Sequence, residues 1–246
     1  VLGVGFDPLP AEGALALAAR WLGEEGHLRL VVTANPETVM RARRLRELAA
    51  AIGQADLVVA DGVGVVWASR RLGRALPGRV PGIELAEGLL AHCAATGRPV
   101  FLLGGRPASS GQPAVAERAA RGLTRRWPDL EVCGTWHGYF GPEEEPAVLQ
   151  AVCRARPALL LCGMGCPRQE LWLARNAAFL GACGVRVAIG VGGALDVWAG
   201  EVRRAPAFLR RAGLEWLWRL GQNPSRLGRQ MQLVRFALEV LRHGKG

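Results

Sequence analysis

Apolar runs of four to six residues recur along this chain with amphipathic stretches of ten to sixteen residues between them, and this alternation constrains the fold more than any single motif. The runs Leu28–Val32, Leu57–Ala60, Val100–Leu103, Leu130–Cys133, Ala158–Cys162 and Val185–Ile189 read as strands; helical patterns fall near 37–51, 63–72, 82–96, 113–126, 143–155 and 168–182. Continuous Val/Leu/Ile strands are buried on both faces. The expectation is therefore an α/β fold with a mainly parallel sheet and helices on both sides. With 246 residues, half of them hydrophobic, the chain suits one large domain or a domain plus an appendage, and intrinsic disorder or a small disulfide or zinc scaffold is excluded. The longest apolar stretches, around 57–68 and 185–199, are broken by Asp61 and by Gly190–Gly193 with Asp196, so no spanning helix is expected. No basic segment precedes an apolar run at the N-terminus, so no secretory signal is expected.

The net charge of +10 is unevenly placed. Residues 1–202 hold 21 basic and 19 acidic side chains, whereas residues 203–246 hold 10 basic and 2 acidic, so +8 belongs to the tail. We expect a core over 1–202 and a basic helical appendage over 203–246. The six cysteines form no CxxC pair and have no His at zinc-ligand spacing, and they read as buried reduced thiols of a cytosolic protein.

Ligands of open α/β sheets bind beyond the carboxyl ends of the strands, so polar residues directly after strands share one rim. Three clusters meet that condition: Thr33-Ala-Asn35-Pro36, Asp61-Gly62, and Gly163-Met-Gly165-Cys-Pro167-Arg-Gln169-Glu170. Gly104-Gly105 and Gly190-Val-Gly192-Gly193 follow two further strands, where the missing Cβ atoms let backbone amides approach a phosphate. Each signal has a plainer alternative. Asp61, Asn35 and Thr33 are also suited to capping the next helix, Gln169 to an ordinary first turn, Arg168 and Glu170 to solvated charge, and His137 to a structural hydrogen bond. The dinucleotide pattern G-x-G-x-x-G fails at every glycine pair, because its third position holds Pro8, Trp67, Arg168 or Leu195. No P-loop exists either, since the only lysine is Lys245. There is no Asp-x-Asp, and no metal or cofactor is expected. If a diphosphate leaves, its charge falls to Arg79, the tail arginines and backbone amides.

In the tail, Phe208, Leu209, Ala212, Trp216, Leu217 and Leu220 form one apolar pattern. After Pro224, Leu227, Met231, Val234, Leu238 and Leu241 form one stripe, and Leu233, Phe236 and Val240 form another. Two apolar faces need two partners. One face can pack on the domain or on a second subunit; the other, with Trp216, Trp218 and arginines nearby, suits an anionic lipid surface. An ordinary core helix pair is the alternative, and no nucleic-acid module accompanies the charge.

The chain resembles the WecG/TagA/CpsF family of bacterial glycosyltransferases over nearly its whole length. The resemblance rests on Leu2-Gly-Val-Gly-Phe-Asp7, Thr33-Ala-Asn35-Pro36, Ala60-Asp61-Gly62, Gly78-Arg79-Val80-Pro81-Gly82, Leu103-Gly104-Gly105, Gly138-Tyr139-Phe140, the Gly163-to-Glu170 cluster, Gly192-Gly193-x-x-Asp196, and Arg204-Ala-Pro206 followed by Gly213-Leu-Glu215-Trp216. It implies a Rossmann-like domain without metal, acting at the inner face of the cytoplasmic membrane. The implied reaction moves a hexosyl group, with inversion, from a UDP-sugar to a sugar on polyprenyl diphosphate. By the same resemblance Asp61 is the catalytic base, Thr33, Asn35, Arg79 and Gln169 are pocket residues, and Asp196 with its preceding glycines lies near the nucleotide. The basic tail, with Arg210, Arg211, Arg219, Arg226 and Arg229, closes over the pocket or meets the membrane. A non-catalytic nucleotide-sugar or lipid-binding module of the same fold is the competing reading.

Overall fold

A computed structural model describes residues 1–206, 208, 209, 218, 221 and 227–243. Its centre is a six-stranded sheet, every neighbouring pair parallel, in the order β2-β1-β6-β5-β3-β4. The strands are β1 (Arg29–Ala34), β2 (Leu57–Ala60), β3 (Val100–Gly104), β4 (Val132–Trp136), β5 (Leu159–Gly163) and β6 (Val187–Gly190). Successive side chains point to opposite faces, which divides the core in two. Val31, Leu57, Leu102, Leu161 and Ile189 face a layer containing α1 (Ala11–Gly23), α5 (Gly82–Thr96), α6 (Val115–Arg126) and α9 (Ala194–Trp198). Leu30, Val32, Phe101, Leu160 and Ala188 face α2 (Pro36–Ala42), α3 (Arg46–Gly53), α7 (Glu145–Ala155) and α8 (Arg168–Ala182). A further helix, α4 (Val63–Arg71), follows β2. The Rossmann-like expectation holds.

The differences from the sequence reading are local. The pattern over 37–51 is two helices, because the chain turns at Arg43–Leu45 and sends α2 against β1 and α3 against α8. Strand β4 lies toward the C-terminal side of its expected position, an edge strand with no fully buried residue. Helices α1 and α9 lie outside the expected set.

The last helix, α10 (Leu227–His243), packs on α2 and α4. Phe236 and Val240 are buried in the cluster with Val39, Met40 and Leu48, while Met231, Val234, Leu238 and Leu241 are exposed. Among the described side chains, one of the two apolar stripes is covered and the other is not. Arg43 donates to Glu239 at 2.7 Å, and this bond holds the Glu239 carboxyl below its ordinary pKa. The first apolar pattern of the tail falls mostly outside the described residues.

The reading of six reduced thiols is corrected. Cys153, in the last turn of α7, forms a disulfide with Cys183, which caps the C-terminus of α8. The two are 30 residues apart in sequence, and only the side-by-side packing of α7 and α8 brings their Cα atoms to 4.7 Å, within bridging range. Burial pushes the remaining thiols upward, Cys93 and Cys166 to about 12 and Cys133 to about 11, which keeps them in the protonated form at neutral pH. Closing a span of this length is worth about 3–4 kcal/mol in the chain-entropy account. Cys153→Ala is therefore expected to lower the melting temperature by about 10 °C with turnover intact, read by calorimetry and a steady-state assay. An unchanged melting temperature, or alkylation of Cys153 and Cys183 in the unfolded, unreduced protein by mass spectrometry, refutes the bridge.

Candidate active site

The carboxyl ends of the strands form one rim, and the predicted residues collect there in two groups. At one end β1 and β2 pair Ala34 with Ala60, and the Asp61 N–H donates to the Ala34 carbonyl at 3.0 Å, so Asn35 and Asp61 leave adjacent strands side by side. Val80 N–H donates to the Ala60 carbonyl at 2.8 Å and carries Arg79 to the same place. Pro81 then caps α5, whose Gly82 lies so close to Thr33 that a Cβ there would stand 2.6 Å from Thr33 Oγ1. Thr33, Asn35, Asp61 and Arg79 are thus assembled from β1, β2 and the entry to α5.

Their capping alternatives separate cleanly. Asn35 does cap α2, its Oδ1 accepting from the Thr38 N–H at 3.0 Å and from the Thr38 hydroxyl at 3.2 Å. No described residue accepts from its Nδ2. Asp61 does not cap α4, because the N-cap is Gly62 at φ +114°, a conformation that favours glycine, and no side-chain capping bond is made there. Thr33 Oγ1 makes only a long 3.4 Å contact to the Gly190 carbonyl.

Between the two ends lie the glycine turns after β5 and β6. Gln169 is no surface residue of a first turn: it is buried, and its Oε1 accepts from the N–H groups of Gly165 and Gly192, both at 3.1 Å. Those two amides are committed to Gln169 rather than directed at a phosphate. The glycines are required by close approach. A Cβ on Gly163 would meet Leu195 at 2.7 Å and the Gly192 carbonyl at 2.9 Å, and one on Gly104 would meet the Gly163 backbone at 2.6 Å. Gly105 is likewise closed off by Val115 at 2.6 Å. Gly193 caps α9, whose half-buried Asp196 accepts through its carbonyl from the Glu201 N–H at 2.9 Å.

Two charges for which solvation is the plainer alternative are engaged by the protein, although Arg168 remains exposed as a residue. Arg168 donates to the Gly138 carbonyl at 2.7 Å and to the Phe140 carbonyl, with its guanidinium 4.9 Å from the centre of the Phe140 ring, and so fastens the loop after β4 to α8. Glu170 is buried, and desolvation raises its pKa. His137 keeps the plainer reading, its Nδ1 accepting from the Tyr139 N–H at 3.3 Å.

At the far end of the rim a cleft of about 460 Å³ opens beyond β3, lined by Arg106, Ser109, Gln112, Arg118, Tyr139 and Glu201. Both arginines are paired with Glu201, and Tyr139 is 66% exposed. Sequence reasoning used Gly104-Gly105 here and passed over Arg106, the next residue. Nothing local in sequence joins Glu201 to it.

The family model described as Glycosyl transferase WecG/TagA/CpsF family matches residues 1–246, the full length. The chain belongs to this family. Membership gives the chain a glycosyltransferase role, with a nucleotide-sugar donor and an acceptor. For this WecG/TagA/CpsF member, the tail arginines Arg210, Arg211, Arg219 and Arg226 lie outside the described residues, and of Arg229 only the backbone within α10 is described. Trp218 Nε1 donates to the Arg203 carbonyl at 3.1 Å. No described helix is long and apolar enough to cross a membrane.

Proposed function

We propose that this chain is an inverting, metal-independent glycosyltransferase that moves a hexosyl group, of the N-acetylmannosamine type or a related one, from a UDP-sugar to a sugar on polyprenyl diphosphate, in cell-surface polysaccharide or teichoic-acid-type linkage-unit synthesis. The observation that carries it is the placement of Asp61 beside Asn35, with Arg79 brought to the same strand end, on a rim whose other end opens into an arginine-lined cleft. The rim spans five strand spacings, about 24 Å, room for an extended nucleotide sugar with its acceptor. The nucleotide occupies the Arg106–Tyr139 cleft and the sugar reaches toward Asp61. Asp61 takes the proton of the acceptor hydroxyl, whose oxygen forms the new bond to the anomeric carbon as the bond to the diphosphate breaks on the opposite face. Arg79 and tail arginines meet the charge on departing UDP.

The exposed stripe Met231, Val234, Leu238 and Leu241, with the +8 tail, supports docking on the anionic inner face of the cytoplasmic membrane. A second copy of the chain on that stripe is the other occupant, detected by sedimentation.

The deciding experiment incubates the protein with a UDP-hexosamine and a polyprenyl-diphosphate sugar. UDP release with an inverted anomeric product is expected; UDP binding without release favours the non-catalytic module. Activity is expected to survive exhaustive chelation, and a requirement for added magnesium or manganese overturns the arginine assignment.

A further inference from the structure

Among the described residues Glu170 is the one charged side chain that is buried, with the Cys166 thiol and the Arg41 guanidinium as its other polar neighbours. It is 7% exposed, it borders a small cavity lined by Leu30, Val32, Ala51 and Leu173, and its Oε2 is buried without a hydrogen-bond partner. A carboxyl in such surroundings costs stability relative to an apolar side chain of similar size. Its other oxygen is engaged: Oε1 accepts from Gln169 Nε2 at 2.8 Å. Neighbouring residues on a helix do not ordinarily face one another, so this contact has a specific geometry.

The amide of Gln169 can sit in two orientations that differ only by exchange of oxygen and nitrogen. In the observed one the oxygen accepts from Gly165 and Gly192 N–H and the nitrogen donates to Glu170. In the reversed one an NH₂ group opposes two N–H donors while two oxygens oppose each other. Glu170 provides the acceptor that selects the first orientation. Gly190 leaves room for it, since a Cβ there would stand 2.4 Å from Gln169 Nε2. Through one amide the carboxyl therefore determines how far apart the turns after β5 and β6 are held. These turns lie between the Asp61 end of the rim and the Arg106 cleft.

We infer that Glu170 is a positioning residue for sugar transfer: by orienting the Gln169 amide it locks the Gly165 and Gly192 turns together and so fixes the donor's path along the rim. This rests on the glycosyltransferase reading for its kinetic consequence but not for its structural one.

The test compares full-length Glu170→Met and Glu170→Gln with wild type. Methionine fills the apolar site without an acceptor; glutamine retains a carbonyl at the Oε1 position. Amide hydrogen exchange, with no substrate present, is expected to quicken at least 10-fold at Gly165 and Gly192 in Glu170→Met and to stay near wild type in Glu170→Gln. The methionine variant is expected to melt at or above the wild-type temperature while kcat falls about 100-fold, the size of effect that misplacing a reacting group by about 1 Å produces, and the glutamine variant to recover turnover to within a few-fold. Opposite movement of stability and turnover distinguishes positioning from a purely structural role. Wild-type exchange at both glycines in Glu170→Met, or equal impairment of both variants, overturns the inference. If the wild-type enzyme transfers no sugar, the functional reading fails, and the exchange result still decides the lock.

Discussion

Asp61→Asn is expected to lower kcat by about 10²–10⁴ with the fold intact. The substitution preserves size and polarity and removes the only property a base requires, a lone pair basic enough to take the hydroxyl proton. The local structure favours a clean result. Gly62, not Asp61, caps α4, and the backbone position of Asp61 is set by its N–H on the Ala34 carbonyl, which the side chain does not affect. Because asparagine keeps the size and hydrogen-bonding reach of the aspartate, the melting temperature is expected to move little. Turnover by the asparagine variant within a few-fold of wild type removes Asp61 from the proton transfer, and a rise in KM alone points to ground-state binding instead.

The second large effect concerns the tail. Truncation after Gly200 is expected to abolish vesicle binding and most activity, including activity on a soluble acceptor analogue. It also removes Phe236 and Val240 from the cluster with Val39 and Met40, so it lowers stability as well. Surface substitution separates these effects. Changing Met231, Val234, Leu238 and Leu241 together to serine leaves the buried stripe untouched. Each apolar side chain of this size is worth about 1.5–3 kcal/mol when it leaves water, so partitioning onto anionic vesicles is expected to fall more than 100-fold with the melting temperature unchanged. Phe236→Ala is expected to do the reverse, costing about 3–5 kcal/mol of stability with little change in vesicle binding by the folded fraction. Reversing the charge of Arg226 and Arg229 then tests the electrostatic share: lost vesicle binding with intact soluble turnover makes these residues anchors. Vesicle binding undiminished by the four serines defeats membrane docking through α10.

The legible part of this molecule is the part governed by period and punctuation. Strands buried on both faces announced themselves as apolar runs, and five of the six expected helical stretches that follow them are single helices close to their expected bounds. Helix α1 was equally legible, since Ala14, Ala18, Trp21 and Leu22 fall on one face at helical spacing, yet it precedes the first strand and the alternation does not call for it. Helix α9 has only five residues, too short for any period to show. At the site, proximity to strand ends located Thr33, Asn35 and Asp61. It could not show that the Gln169 carbonyl is occupied by two turns 27 residues apart, that Glu170 is buried, or that Glu201 crosses to Arg106 and Arg118, because those contacts depend on how loops fold over the rim. Cysteine spacing failed for the same reason at Cys153 and Cys183.

The strand that leads to Asp61, β2, is the outermost on its side of the sheet, the position most open to another chain. Three of its outward groups are nevertheless occupied. The N–H and carbonyl of Val58 are matched by the Asp7 carboxylate at 2.7 Å and the Asp7 N–H at 2.8 Å, and the Ala60 carbonyl takes the N–H of Val80. One aspartate does on this margin what a whole neighbouring strand would otherwise do, and without offering a fresh ladder beyond it. The border of the sheet is thus made non-adhesive at the point where the reaction is proposed to occur. A large amphipathic acceptor can approach that margin without a second protein strand competing for it.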